Sequence, residues 1–218
     1  TGRYAYGNWK GYGENVFAQH YYFRHYQVEN GLPNNTVNCS VQDSSGFMWF
    51  GTKEGLCRFD GYRFSEFRHQ WDDPASLGQN ETLALFEDHA GVIWIGTYNG
   101  GLIRYDPQRG VFRSYQAGSG GSNGLSGSIV RAIVEDRGRA LWVGTERGLN
   151  RLDPDRKRFT VYRHGAGAAG SIAGDQVNAL CAGREGELWI GTEEGISRFD
   201  PRDGRFTTWR SRPGSDSG

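Results

Sequence analysis

The sequence predicts an all-β chain: a β-propeller of four four-stranded antiparallel blades, preceded by one extra N-terminal outer strand. Three observations predict it. Trp-x-Gly-Thr recurs at Trp49–Thr52, Trp94–Thr97, Trp142–Thr145 and Trp189–Thr192, at intervals of 45, 48 and 47 residues. Each copy leads into Arg-x-Asp, at Arg58/Asp60, Arg104/Asp106, Arg151/Asp153 and Arg198/Asp200, and then into Phe-x-x-aromatic, at Phe64/Phe67, Phe112/Tyr115, Phe159/Tyr162 and Phe206/Trp209. Finally, 34 glycines in 218 residues with 14% aromatics suits many short strands joined by tight turns.

A repeat of about 47 residues that holds this register is one supersecondary unit copied four times. In the second unit, Thr82–Glu87, Val92–Gly96, Leu102–Tyr105 and Val111–Tyr115 read as successive strands. The turns between them are short and carry Gly or Asp-Pro, which suits hairpins rather than helical crossovers. A lone four-stranded sheet cannot bury both faces; stacking the sheets around an axis does, and it shields most edges. The units run over 34–70, 79–117, 126–165 and 174–210, with 1–19 as a poorly ordered extension and 211–218 as a disordered tail.

The repeated residues have structural jobs. Trp49, Trp94, Trp142 and Trp189 are expected between blades, each burying roughly 150–250 Å². Arg and Asp two apart on a strand share a face and are expected to pair, or to cap a turn. Gly55, Gly100, Gly148 and Gly195, three residues past each Thr, are expected to permit a positive-φ turn. Asp43, Asp88 and Asp136 stand six residues before their Trp, but the fourth unit has Gly183 there. Three residues before the Trp, Gly46, Gly91 and Gly186 become Arg139 in the third unit. Upstream, Phe23-Arg24-His25-Tyr26 copies the outer-strand pattern of Phe112–Tyr115, so 20–30 is expected to be the outer strand of another blade. The fourth unit already owns an outer strand. Two explanations stay open: the chain is a piece of a longer, seven-bladed type of array, or Phe23–Tyr26 pairs with the edge of a second copy.

Composition and motifs exclude several functions. With 25 basic and 25 acidic residues there is no positive surplus to neutralise phosphates, which argues against nucleic acid. No stretch approaches the ~20 apolar residues of a membrane span, and residues 1–19 lack the apolar core of a signal peptide. Cys39, Cys57 and Cys181 show no C-x-x-C spacing and are expected as small packing residues. The five histidines (His20, His25, His69, His89, His164) are scattered without ligand spacing, so neither a metal nor a cofactor is expected. No nucleophile elbow occurs, and Gly118–Gly124 is not followed by Gly-Lys-Ser/Thr, so it is not a phosphate loop. No catalytic residues are expected.

The stretch Asn30-Gly31-Leu32-Pro33-Asn34-Asn35-Thr36-Val37, followed by Gln42-Asp43, Gly46–Thr52, Gly55-Leu56 and Arg58–Phe64, resembles the opening blade of the two-component regulator propeller family. The later units resemble its later blades, so the likeness covers about residues 20 to 209, apart from the departures at Gly183 and Arg139. The resemblance implies an extracytoplasmic or periplasmic sensor module of a bacterial hybrid two-component system. It implies an oligosaccharide or other small ligand and a membrane helix and histidine kinase downstream. A homodimer or protein-interaction scaffold is the alternative, and a propeller lyase or glycoside hydrolase a third.

In a propeller, one face gathers the loops from strand four to the next strand one and from strand two to strand three. Loops there vary while blades hold them still. On that basis the candidate ligand residues are Asn34, Asn35, Asn80, Glu81, Asp175 and Gln176 in the first class of loop. Lys53, Glu54, Tyr98, Asn99, Arg147 and Glu193 represent the second class. Trp71, in the loop His69–Pro74, is a further candidate as a stacking platform.

Overall fold

A computed structural model describes residues 22–73, 75–118, 124–165 and 170–210. The expected extension 1–19, the tail 211–218, Pro74 and most of Gly118–Gly124 lie outside the described residues. Sixteen strands form four antiparallel sheets, each of four consecutive strands in sequence order. Blade 1 holds β1 (Val37–Gln42), β2 (Met48–Thr52), β3 (Gly55–Phe59) and β4 (Phe64–Phe67). Blade 2 holds β5 (Thr82–Glu87), β6 (Ile93–Thr97), β7 (Leu102–Asp106) and β8 (Val111–Tyr115). Blade 3 holds β9 (Val130–Glu135), β10 (Leu141–Thr145), β11 (Gly148–Leu152) and β12 (Phe159–Tyr162). Blade 4 holds β13 (Val177–Ala182), β14 (Leu188–Thr192), β15 (Gly195–Asp200) and β16 (Arg205–Trp209). The repeat places every strand within about a residue of where the sequence puts it in the second unit.

The first strands β1, β5, β9 and β13 touch one another in turn, so they form the inner wall of the arc. Each pairs with its second strand across a register shift, at Val37/Cys39, Thr82/Ala84, Val130/Ala132 and Val177/Ala179. A bulge repeated once per blade increases the twist of the inner strand at the same place each time.

Three hydrophobic clusters fill the three blade-to-blade interfaces, each centred on the Trp of the earlier blade. Tyr105 and Phe112 of blade 2 join the cluster around Trp49, Leu152 and Phe159 of blade 3 the one around Trp94, and Phe199 and Phe206 of blade 4 the one around Trp142. The close approach depends on the Gly of Trp-x-Gly-Thr. A Cβ on Gly51 would stand 2.4 Å from Thr82, on Gly96 2.7 Å from Val130, and on Gly144 2.6 Å from Val177. The first residue of each inner strand therefore seats in the Gly notch of the blade before it.

The aspartate six residues before each Trp proves to be the indole's partner. Asp43, Asp88 and Asp136 accept from Nε1 of Trp49, Trp94 and Trp142 at 2.7, 2.8 and 2.7 Å. Their second oxygens accept backbone N–H groups of the β-turn, from Phe47, Val92 and Ala140. In blade 4 the carboxylate comes from Glu187 instead. Its side chain bonds Trp189 and fills the space that the missing Cβ of Gly183 leaves open. Those bonds, backbone N–H groups first, hold the Glu187 carboxyl below its ordinary pKa.

Four expectations are corrected. Trp189 is 37% exposed, because no further sheet covers blade 4 among the described residues. Phe23–Tyr26 form no strand; Tyr26 packs its ring against Phe59 and Phe64, at 5.2 and 5.5 Å. Gly100 does not take the positive φ: the turn in blade 2 is one residue longer, and Asn99 (φ 67°) and Gly101 (φ 75°) take it. Cys181 lies exposed on blade 4, whereas burial pushes the Cys39 and Cys57 thiols up to about 12. The Arg-x-Asp pairs are mixed. Arg151 bonds Asp153 at 2.9 Å and Arg104 lies 3.8 Å from Asp106. Asp60 caps its turn through the N–H groups of Arg63 and Tyr62, which hold its pKa down. Asp200 is brought down to about 2 by Arg202.

Candidate ligand-binding face

The two expected loop classes meet on one face. Lys53 N–H donates to Thr36 O at 3.2 Å, Tyr98 N–H to Glu81 O at 2.9 Å, and Gly101 N–H to Ser128 O at 2.9 Å. In blade 3 the carboxylate of Glu146 does the same work, accepting the N–H groups of Ser128 and Ile129 at 3.1 and 2.9 Å. In blades 1, 2 and 3 the second-to-third-strand loop is thereby tied to a loop entering a first strand, by backbone N–H groups rather than by the exposed tips.

The sequence-selected residues divide by what their polar atoms already do. Asn34 Oδ1 accepts Thr36 N–H at 2.7 Å, and Asn35 Oδ1 accepts Val28 N–H at 2.9 Å. Asn80 and Asp175 play one role in two places. Asn80 Oδ1 accepts His69 N–H at 2.7 Å, and Asp175 Oδ1 accepts His164 N–H at 2.6 Å, both across eleven residues. Nδ1 of His69 and His164 bonds Leu77 O and Ile172 O in turn, both eight residues on. This His-to-Asn/Asp spacing was visible in the sequence as a second, weaker repeat. Glu81 and Gln176 are half-buried beside these clamps. Lys53, Glu54, Tyr98, Asn99, Arg147 and Glu193 are exposed at the tips of the second-to-third-strand loops. Trp71 is 95% exposed and meets His69 edge-on at 4.7 Å.

A cleft of about 560 Å³ opens on this face where the loop entering blade 3 passes the end of β12. Leu125 and Val161 supply an apolar floor, with Ser126, Arg147 and Arg163 around it. Of these, Arg147 was selected from the sequence, and Ser126 falls in the first class of loop. Arg163 shares with Arg68 and Arg210 the position after the outer strand, but only the fold brings it to Ser126.

The opposite face is laced between blades. Glu87 at the end of β5 reaches back to the N–H and Oγ of Ser44 at 2.8 and 2.7 Å. Glu135 at the end of β9 likewise takes the N–H and Nδ1 of His89 at 3.1 and 2.9 Å. Ligating atoms of Asp88, His89 and Glu135 lie within 4.8 Å of one another. Arg156 already places a guanidinium there, 2.7 Å from Glu135 and 3.3 Å from Asp88, over the ring of Trp94. The charges that could hold a cation are matched by one that belongs to the chain.

The two component regulator propeller family matches the chain at residues 31–54, 76–99 and 171–194. The extracellular domain of a hybrid two component system from B. thetaiotaomicron is 30% identical, with a TM-score of 0.76 over 88% of this chain. The chain spans 27% of that domain's length. A catalytically inactive virginiamycin B lyase from Staphylococcus aureus is 19% identical over 85% of this chain and 59% of its own, with a TM-score of 0.58, a likeness of fold alone. None of the curated proteins compared with the chain matches it.

Proposed function

We propose that this chain, three of whose blades match the two component regulator propeller family, is the ligand-recognising part of an extracytoplasmic sensor that binds a carbohydrate and acts by binding rather than by turnover. The observation that carries this reading is the convergence of both loop classes on one face, with varied tips on a scaffold fixed by backbone bonds and buried indoles. Its likeness to an extracellular two-component domain supports the location and a kinase partner elsewhere in the signalling protein. The exposed amides, carboxylates and rings of Glu54, Tyr98, Asn99 and Glu193 suit sugar hydroxyls and sugar faces. Calorimetry of the 218-residue chain against a panel of oligosaccharides tests it. Saturable heats that shrink on Tyr98→Ala or Asn99→Ala are expected; silence across the whole panel overturns the reading.

A second reading has its own observation. Trp189, Ile196 and Trp209 stand exposed together on blade 4, which favours an association scaffold. Light scattering separates the two: a concentration-dependent dimer abolished by Trp189→Glu, without any response to sugars, favours association.

A further inference from the structure

We propose that the cleft beside β12 binds an oxyanion on the saccharide, a uronic acid carboxylate or a sulfate ester, and so selects acidic over neutral sugars. This rests on the carbohydrate reading above and adds its charge.

The inference starts from a departure in a repeated interaction. The residue after the outer strand is Arg68 in blade 1, Arg163 in blade 3 and Arg210 in blade 4. Arg68 donates a terminal nitrogen to Pro33 O at 3.2 Å, and Arg210 donates one to Ala173 O at 3.0 Å. In both, the guanidinium closes the gap between the outer strand and the loop entering the same blade. Arg163 does not. Among the described residues it donates only Nε, to Arg147 O at 3.2 Å. The loop stands off at Ser126, and the gap that blades 1 and 4 close with arginine is here the cleft of about 560 Å³.

The charge at the cleft is positive. Among the described residues no carboxylate lines it. Glu146, the nearest by sequence, spends both oxygens on Ser128 and Ile129 N–H groups, and stands 3.8 Å from Arg147 Nε. Its hold on that loop also fixes the cleft wall before any ligand arrives. Arg163 thus keeps its terminal nitrogens for a ligand, and a guanidinium edge matches the two oxygens of a carboxylate or sulfate. The volume falls within the range of small-molecule sites. The floor of Leu125 and Val161 suits the apolar face of one or two sugar rings.

The test is calorimetry of the full chain with digalacturonic acid, galactose 6-sulfate, galactobiose and sodium sulfate as probes. At least one acidic sugar is expected to bind, more weakly as salt rises, and galactobiose to bind at least about tenfold more weakly. Arg163→Ala is expected to cost at least about tenfold, Arg163→Lys less, and Arg68→Ala nothing. Comparing digalacturonic acid with galactose 6-sulfate separates carboxylate from sulfate ester. Equal binding of galactobiose, or acidic-sugar binding undiminished in the Arg147→Ala/Arg163→Ala double variant, overturns the inference and leaves the carbohydrate reading standing. Sodium sulfate binding as tightly as the sugars marks an adventitious ion only and overturns it too. Heats from no sugar at all overturn both.

Discussion

Trp142 in blade 3 and Trp189 in blade 4 stand at the same register position, opposite Arg151 and Arg198. Both indoles have a carboxylate partner and both stack on the aromatic of their own outer strand, Tyr162 at 5.6 Å and Trp209 at 5.7 Å. Yet Trp142 is 1% exposed and Trp189 is 37% exposed. The difference is made entirely by the next sheet. Blade 4 lays Val177, Phe199 and Phe206 over blade 3, and nothing lies over blade 4 among the described residues. What the comparison teaches is that a blade's own sequence sets its hydrogen bonds and stacking, while burial of its Trp belongs to its neighbour. A sheet finished in every local respect still leaves Trp189, Ile196 and Trp209 in solvent, a patch of the kind that marks interaction surfaces.

The largest expected effect comes from removing one indole from a covered face and one from the open face. Trp94→Ala, taken from a fully buried site, is expected to cost roughly 3–5 kcal/mol. Trp189→Ala, half in water already, is expected to cost less than half as much. Urea denaturation of the two variants checks it, and equal losses would break the comparison by requiring a cover over blade 4. The indole's partner comes next. Asp136→Ala strands the N–H of Trp142 and the turn N–H of Ala140, and is expected to cost roughly 1.5–3 kcal/mol. Glu187→Ala, on the open blade, is expected to shift the urea midpoint less than Asp136→Ala, because water can replace the lost bond to Trp189.

The Gly notch sharpens the contrast. A methyl on Gly144 meets Val177 at 2.6 Å, closer than packed atoms tolerate, whereas one on Gly191 meets only Ala179, at 3.4 Å in its own blade. Gly144→Ala is therefore expected to lose roughly 1–3 kcal/mol and Gly191→Ala to stay within about 0.5 kcal/mol of the parent, by the same denaturation. A large loss at Gly191 would mean that another chain's strand already seats there.

The repeat made the fold legible, because each blade's strands and turns are fixed by residues within some 40 positions of one another. The face was legible too, since antiparallel pairing alone decides which loops share a side. Three things were not. The covering of Trp189 depends on a neighbour whose presence leaves no mark in blade 4 itself. The Asp-to-indole bond was visible only as an unexplained position, and its rescue by Glu187 broke the very spacing that displayed it. Arg163 was invisible because its role comes from what its counterparts Arg68 and Arg210 do and it does not, a contrast that exists only once the loops are placed in space.

Cysteine chemistry gives the mildest test, one that perturbs no packing. Cys181 pairs with Trp189 across β13 and β14 on the open face, at the register position that Val134 holds against Trp142 in blade 3. Cys39 and Cys57 are held at about 12 by burial, so their thiolates are scarce at pH 8 and they should resist a water-soluble disulfide reagent in the native chain. One thiol per chain is expected to react quickly and three after denaturation. The same shifts have a sign for stability: the unfolded thiols ionise from about pH 9 while the folded ones cannot, so the fold weakens as pH rises from 9 towards 12. Protection of Cys181 that fades on dilution would show a partner sheet on blade 4 and turn its exposed indole from an open end into one half of an interface.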